Sequence, residues 1–404
     1  MRRVASREGG DDAGLGCGSN GCAMSALPQL RSDATDLPRM DFQRPVICLF
    51  GMVFDTIGLD QAVARVRDAA ARGEPLMITT PNLNYVVAAR TDADFRHSAL
   101  HSQLCVVDGM PLVWAARALG LPLTERVSGS DLFEGLCRVR DGAPIKAYFF
   151  GGPQGAAEEA CRRVNAQGGG VHCVGGQSPG FVPVEALSEP ACIEPIRAVG
   201  ADLVIVAVGI KKGQAWIDRN RGRLGAPVVA YFGAVVNFTA GSVRRAPRWM
   251  SRLGFEWLWR ILQEPALWRR YFDDGRAALG LGLRCLLPLW WHRLRAPSDP
   301  RQGEASLTAT PQGTLLRLIG HLEGPGQAPL CSALAEAARA RAPIEIDMTA
   351  LQDLDAHACG LLLLLHAWQR DIGQPLQLRA VPGPVRRRLR HHGADFLLDA
   401  SPLA

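Results

Sequence analysis

The chain has 404 residues, of which 48% are hydrophobic and 21% are charged, and its formal net charge is +6. This composition excludes a chain that is disordered throughout, and the length indicates two or three domains. The start of the chain lacks the continuous apolar stretch of a secretory signal, and the 11 cysteines lack paired short spacings, so we expect reduced thiols in a cytoplasm. Cys17 and Cys22 have no second Cys or His pair nearby, so no metal is assigned to them.

Residues 1–42 are rich in Gly, Ser and Asp and have few periodic apolar positions, which predicts a disordered tail. In residues 43–247, short apolar runs alternate with amphipathic stretches such as 60–71, a pattern typical of βα units. We therefore predict an α/β domain with a Rossmann-like, mainly parallel sheet. Its buried strands are predicted at Val46–Phe50, Leu76–Thr79, Leu104–Val107, Ala147–Phe150, Val171–Val174, Leu203–Val208 and Val228–Phe232.

Residues 248–296 interleave Trp and Arg at helical spacing, which predicts a basic, amphipathic helical appendage. The most apolar stretch, 277–291, is too short to span a bilayer and is interrupted by Arg284 and Pro288. We expect attachment to a membrane surface instead. The alternative interpretation places the Trp side chains in a core and the Arg side chains on a solvated face. Nucleic acid is not an expected partner, because no nucleic-acid-binding motif accompanies the basic residues.

Polar residues follow two of the predicted strands, at the sheet edge where ligands bind in open parallel sheets. Thr80 and Asn82 follow the strand at 76–79, and Asp108 follows the strand at 104–107. A carboxylate in this position can act as a general base that takes a proton from an acceptor hydroxyl. From spacing alone it is an equally good interpretation that Asp108 caps the next helix and that Thr80 and Asn82 are turn and cap residues.

Several motifs occur in a family order between about residues 46 and 272: TPNLNYVVAAR, VVDGMPLVWAARALG, ERVSGSDL, FFGG, ADLVIVAVGIKKGQAW, FTAGSVRRAPRWM and GFEWLWRILQEP. With these motifs the chain resembles the WecG/TagA/CpsF family of glycosyltransferases. The resemblance implies transfer, with inversion, of a hexose or N-acetylhexosamine-type sugar from a UDP donor to a polyprenyl-diphosphate-linked saccharide in cell-surface or exopolysaccharide biosynthesis. It implies no obligatory metal or other cofactor, and a cytoplasmic protein that is peripheral on the inner face of the cytoplasmic membrane.

The resemblance also implies roles for individual residues. Asp108 matches the family's proposed base, with Thr80 and Asn82 beside it, and Arg126 matches a residue that contacts the diphosphate leaving group. This role suits a guanidinium, which binds phosphate oxygens in bidentate fashion. The alternative for Arg126 is a surface ion pair with Asp131.

The substrate-binding residues predicted for this chain are Arg126, Asp131, Gly209, Gln214, Asn237, Arg245, Arg260 and Arg270. Gly209 allows close approach of the backbone to a nucleotide or sugar. Arg260 and Arg270 match tail arginines that close over the active site in the family. Gln214 and Asn237 stand where the family has Glu and Asp, which predicts either a different donor sugar or a weakened enzyme.

Residues 297–306 are polar and contain Pro300, as in a linker, and residues 307–404 are predicted to form a small α/β domain with the order strand, strand, helix, strand, helix, strand, helix. The stretch IEIDMTALQDLDAHACGLLLLLHAWQR resembles a STAS domain. The loop at 354–358 lacks the phosphorylatable Ser of anti-sigma-factor antagonists, so we expect binding of a partner protein, a nucleotide or the catalytic half of the chain. An alternative function, suggested by the amides at Gln214 and Asn237, is a weakened transferase that acts as a membrane-associated regulatory scaffold through its STAS-like domain.

Overall fold

The computed structural model describes residues 40–180, 182–243, 245–247, 249, 250, 254–263, 265, 268–295, 303–323 and 327–399. The predicted tail lies outside the described residues except for residues 40–42, of which Phe42 is buried. Most of the predicted linker at 297–306 also lies outside them. Its last three residues belong to a strand that begins at Glu304, so the linker prediction extends too far.

The described chain begins with an antiparallel hairpin of strands β1 (Val46–Leu49) and β2 (Met52–Asp55). We predicted the first of these as a strand of the parallel sheet, and this was wrong, because the hairpin forms a separate two-stranded sheet. Phe50 and Gly51 both have positive φ, 55° and 81°, and such a two-residue turn reverses the chain at once. All eight strand residues are buried.

The central sheet contains strands β3 (Leu76–Thr79), β4 (Leu104–Cys105), β5 (Ile145–Gly151), β6 (Val171–Gln177), β7 (Leu203–Ala207) and β8 (Val228–Tyr231). In the described part of the chain these six strands lie in the order β4-β3-β8-β7-β5-β6, and every pairing is parallel. The prediction of a Rossmann-like, mainly parallel sheet is thus confirmed.

Helices cover both faces of this sheet. Successive strand residues point to opposite faces, and Ile205 and Val206 accordingly belong to two different apolar clusters. Helix α1 contains the amphipathic stretch predicted at 60–71 and buries Ala62, Val63, Val66 and Ala69. The helices of this domain are α1 (Leu59–Arg72), α2 (Leu83–Thr91), α3 (Ala93–Leu100), α4 (Met110–Ala118), α5 (Gly129–Arg138), α6 (Ala156–Gln167), α7 (Val184–Leu187), α8 (Pro190–Ala198), α9 (Ile210–Asn220) and α10 (Val235–Ala240).

One cysteine pair differs from the expectation of reduced thiols. Cys161 on α6 and Cys173 on β6 form a disulfide, with their Cα atoms 5.1 Å apart. The packing of α6 against β6 brings together two residues that are separated by 12 positions in the sequence, a spacing that carries no recognisable cysteine motif. The other cysteines in the described residues are free.

The predicted appendage consists of α11 (Glu256–Gln263), α12 (Trp268–Leu281), a π-helical segment (Gly282–Leu286) and α13 (Leu287–Arg295). It carries a group of exposed apolar side chains, which are Trp257, Leu258, Leu262, Trp268, Phe272, Leu279, Leu283, Leu287, Trp290, Trp291 and Leu294. We call this group the appendage apolar surface. Among the described residues, no helix combines the length and apolar character needed to cross a membrane.

The C-terminal domain follows the predicted order, with β9 (Glu304–Thr310), β10 (Gly313–Leu322), α14 (Ala328–Ala340), β11 (Ile344–Leu354), α15 (Ala356–Asp371), β12 (Leu376–Arg379) and α16 (Gly383–His391). Its sheet has the order β12-β11-β10-β9, in which β9 is antiparallel and the other strands are parallel.

This domain lies directly against the hairpin β1–β2. A Cβ atom on Gly360 of α15 would lie 3.1 Å from the backbone of Ile47, so glycine permits the close approach. His357 Nδ1 lies 2.6 Å from the Val46 carbonyl oxygen, and the Gly51 N–H donates to the His392 carbonyl oxygen at 2.6 Å. We predicted a loop at 354–358, but His357 lies in the first turn of α15, and the hairpin contacts it there.

Candidate active site

A cavity of about 410 Å³ opens at the carboxyl ends of β3 and β4, beneath the appendage helices α11 and α12. The loop after β3 and the start of α2 form one wall, and the loop after β4 and the start of α4 form another. The residues that line it are Asn82, Leu83, Asn84, Asp108, Gly109, Met110, Pro111, Arg126, Gly254, Glu256, Trp257, Arg260, Arg270, Tyr271, Asp274, Gly275 and Ala278.

Asp108 lies at the base of this cavity. Its backbone N–H donates to the Pro81 carbonyl oxygen at 2.9 Å, which joins the two strand-end loops. Gly109 is the N-cap residue of α4, so the Asp108 carboxyl group faces the cavity and does not cap that helix. Burial raises the pKa of Asp108 to about 7; the charge of Arg126 opposes the rise, and the charge of Glu256 adds to it. A carboxyl group with this pKa can exchange a proton near neutral pH.

Arg126 connects three carboxylates. Its Nη1 donates to Glu256 Oε2 at 2.8 Å and to Asp108 Oδ1 at 3.5 Å, and its Nη2 donates to Asp131 Oδ2 at 3.0 Å. The ion pair with Asp131 that the alternative interpretation expected is therefore present. Arg126 nevertheless lines the cavity, so its guanidinium is also available to a ligand.

Asp131 and Arg245 lie behind Arg126 and do not line the cavity. Burial alone would raise the pKa of Asp131, but the hydrogen bond from Ser128 and the charge of Arg126 hold it below its usual value. Arg245 donates to Asp131 Oδ1 at 2.6 Å and to Glu134 Oε2 at 3.0 Å. These two predicted substrate-binding residues thus hold Arg126 in place and do not face the cavity themselves.

Asn82 both caps a helix and lines the cavity. Its Oδ1 accepts a hydrogen bond from the Tyr85 N–H at 3.1 Å, so it caps α2 as the ordinary interpretation expected. It also lines the cavity beside Asp108. Thr80, which we grouped with it, is buried and does not line the cavity.

Gln214 lies away from the cavity, contrary to our expectation that it borders the donor pocket. It is fully buried in α9, where its Oε1 accepts from the Tyr85 hydroxyl at 3.1 Å and its Nε2 donates to the Ser98 carbonyl oxygen at 3.3 Å. The helical phase agrees with this, because Ile217, three residues further along, is buried on the same side of the helix. Gln214 therefore connects α9 to α2 and α3.

Gly209 and Asn237 lie at another part of the same sheet edge and do not line the cavity. Gly209 precedes α9 with a φ of 90°, and no heavy atom lies within 4 Å of the position of a Cβ atom there. Asn237 Oδ1 is buried and has no hydrogen-bond partner within the described ranges. It lies 3.6 Å from the position of a Cβ atom on Gly152, the residue that follows β5.

The appendage contributes two predicted arginines to the cavity, Arg260 and Arg270. Arg260 Nε is buried without a hydrogen-bond partner in the described part of the chain, and Arg270 Nε lies 4.0 Å from Asp274 Oδ2. With Arg126 they place three guanidinium groups around one cavity, an arrangement suited to phosphate oxygens.

Sequence reasoning missed three residues that connect the appendage to the core. Glu256 forms the ion pair with Arg126, and Asp274 Oδ1 accepts from Asn84 Nδ2 at 3.0 Å. Glu256 and Asn84 both lie inside quoted motifs, GFEWLWRILQEP and TPNLNYVVAAR, so their motif positions were the available signal.

Comparison with known proteins supplies the family context for this cavity. Residues 47–290, more than half of the chain, match the model of the glycosyl transferase WecG/TagA/CpsF family, and residues 305–399 match the model named Mlab, STAS domain. Three relatives share the name N-acetylglucosaminyldiphosphoundecaprenol N-acetyl-beta-D-mannosaminyltransferase.

The relative from Bacillus spizizenii is 30% identical over 163 residues, which are 40% of this chain and 62% of that protein, so less than two thirds of its length is covered. The relative from Bacillus subtilis is 26% identical over 50% of this chain and 77% of its own length. The relative from Staphylococcus aureus is 23% identical over 55% of this chain and 85% of its own length. With the family model matched across the sheet, the cavity and the appendage, the chain belongs to the glycosyl transferase WecG/TagA/CpsF family.

Proposed function

We propose that this protein is an inverting glycosyltransferase that moves a hexose or N-acetylhexosamine-type sugar from a UDP donor to a polyprenyl-diphosphate-linked saccharide. The observation that carries the proposal is a cavity that combines Asp108, a carboxyl group whose pKa is raised to about 7, with the guanidinium groups of Arg126, Arg260 and Arg270. The names of the three relatives describe transfer of a sugar to a lipid-diphosphate acceptor, which supports the same reaction here.

In the proposed reaction, Asp108 accepts the proton of the acceptor hydroxyl as its oxygen attacks the anomeric carbon of the donor sugar. The new carbon–oxygen bond forms on the face opposite the bond to the diphosphate. That bond breaks, and UDP leaves with the electron pair. A single displacement of this kind inverts the anomeric configuration.

The arginines have a separate role, which is to stabilise the negative charge that grows on the departing diphosphate. Arg126 is the best placed of them, because Asp131 holds it from behind and its Nη1 lies within reach of Asp108. Glu256 Oε2 accepts a hydrogen bond from Nη1 at 2.8 Å. We infer that phosphate oxygens replace this carboxylate when the donor binds.

The appendage apolar surface supports a location on the inner face of the cytoplasmic membrane, where a polyprenyl-linked acceptor is found. Trp290 and Trp291 are exposed at its end, and the Arg295 guanidinium lies 4.3 Å from the Trp291 ring. Aromatic and basic side chains side by side are typical of membrane interfaces. The surface lies on the same helices that cover the cavity, so a lipid-linked acceptor would reach Asp108 from the membrane side.

The regulatory-scaffold alternative was based on the amides at Gln214 and Asn237. Gln214 is bonded within the core, so its amide gives no reason to expect a decayed active site. Of the two amides, only that of Asn237 still supports the alternative.

The test is a transfer assay with purified protein, a panel of UDP-sugars and a synthetic polyprenyl-diphosphate N-acetylglucosamine acceptor. We expect a product with inverted anomeric configuration, and we expect Asp108→Asn to abolish it. The matched control is Asp68→Asn, which removes an exposed carboxylate from the middle of α1 and should leave turnover unchanged. Near-normal turnover by Asp108→Asn would show that the proposed base is wrong, and no product from any donor would reject the transferase function.

A further inference from the structure

A cluster of two histidines and one aspartate lies where the two domains meet. His97 and His101 are one helical turn apart at the end of α3, and Asp371 is the last residue of α15 in the C-terminal domain. His97 Nε2 lies 2.8 Å from Asp371 Oδ1, and His101 Nε2 contacts Asp371 Oδ2. One potential ligand atom from each residue lies within 4.8 Å of the other two. None of the three lines the cavity around Asp108.

The cluster is enclosed but not sealed. The side chains of His97, His101 and Asp371 are 18%, 9% and 8% exposed. His97 Nδ1 is buried and has no hydrogen-bond partner among the residues that the structure describes, whereas each carboxylate oxygen of Asp371 contacts one of the two histidines. A buried ring nitrogen without a hydrogen-bond partner is costly unless a further group binds it.

The chemistry of the three side chains selects the kind of group that would bind. Two imidazole nitrogens and one carboxylate oxygen suit a divalent transition metal such as Zn²⁺, whereas Mg²⁺ and Ca²⁺ prefer oxygen ligands. In a tetrahedral site with bonds of about 2.0 Å, ligand atoms lie about 3.3 Å apart, so small side-chain shifts would admit the ion.

We propose that His97, His101 and Asp371 bind one divalent transition-metal ion, which fastens the STAS domain to the transferase domain. Two ligands come from one domain and the third from the other, so the ion would connect them directly. A solvent molecule can fill the fourth position, because His97 is partly exposed. The ion pair between Arg370 of α15 and Asp94 of α3, at 2.5 Å, lies beside the cluster and joins the same two helices.

The first test measures metal content of the full chain. Purified protein is stripped with a chelator, dialysed against Zn²⁺ and analysed by elemental mass spectrometry. We expect one equivalent of Zn²⁺ to be lost in His101→Asn and in Asp371→Asn relative to the unsubstituted protein. The matched control is His172→Asn, which removes an exposed histidine from β6 and should retain the full amount. Equal zinc content in all four proteins would overturn the proposal.

The second test separates loss of the metal site from loss of folding. Zn²⁺ at about 100 times its Kd should raise the Tm of the chelator-stripped protein by about 3 °C, and this rise should be absent in Asp371→Asn. Circular dichroism without metal reports whether each variant is folded. A Tm rise of the same size in Asp371→Asn would also overturn the proposal, because the metal would then bind elsewhere.

Discussion

Replacement of Asp108 by Asn should make the protein more stable at the same time as it removes activity. The pKa of Asp108 is raised from its usual value of 3.8 to about 7, so the ionised carboxylate is disfavoured in the folded state. At about 1.4 kcal/mol for each tenfold change in the proton equilibrium, the cost of ionisation reaches about 4 kcal/mol above pH 7. The side chain is 29% exposed and its contact with Arg126 is lost in the variant, so we expect a net gain of about 1 kcal/mol.

The sign of the pH dependence follows from the direction of the pKa change. A carboxyl group whose pKa is raised on folding costs stability above its unfolded pKa, and the cost grows with pH until the folded group is ionised. The advantage of Asp108→Asn should therefore be small near pH 4, increase up to about pH 7 and then stay constant. Denaturant unfolding of both proteins at pH 4.5, 6 and 8 measures this. An advantage that does not grow with pH, or a variant that is less stable at pH 8, would refute the claim that Asp108 is desolvated.

For the unsubstituted enzyme, kcat/KM should fall about fivefold from pH 7 to pH 6, because the ionised fraction of Asp108 falls from about one half to about one tenth; a flat acid limb would contradict this. Arg126→Lys should lower kcat at least tenfold, since Lys lacks the bidentate fork, while Arg162→Lys at the exposed face of α6 should have no effect. Gln214→Ala should lower the free energy of unfolding by about 1–3 kcal/mol without changing KM for the donor. A raised KM would show that Gln214 contributes to donor binding. Trp291→Ser should weaken binding to anionic vesicles in flotation assays, and unchanged binding would remove the appendage apolar surface from the membrane proposal.

Most of the central sheet could be predicted from the sequence because its strands are short apolar runs buried on both sides. The position of Asp108 could be predicted for a related reason, since the carboxyl ends of neighbouring parallel strands meet at one edge. The hairpin could not, because Met52–Asp55 has the same apolar texture as the strands of the sheet and the turn at Phe50 and Gly51 lacks the usual Asn-Gly signal.

Long-range contacts account for what the sequence did not reveal about the cavity. Glu256 is 130 positions away from Arg126, and no local pattern indicates that the appendage helix would bring them together. Gln214 illustrates the opposite error, because a polar residue near a strand end was assigned to the ligand site. Its phase on α9, which it shares with the buried Ile217, was readable in the sequence and pointed to the core.

The hairpin β1–β2 has a consequence for any attempt to divide the protein. Its strands are buried throughout, and they obtain part of this cover from α15, which belongs to the other domain. A two-stranded ribbon has little stability in water by itself, and an uncovered apolar strand invites aggregation. Deletion of residues 303–404 would therefore expose apolar side chains of the hairpin to solvent and promote aggregation of the catalytic half. The enzyme is best produced and studied as the whole polypeptide.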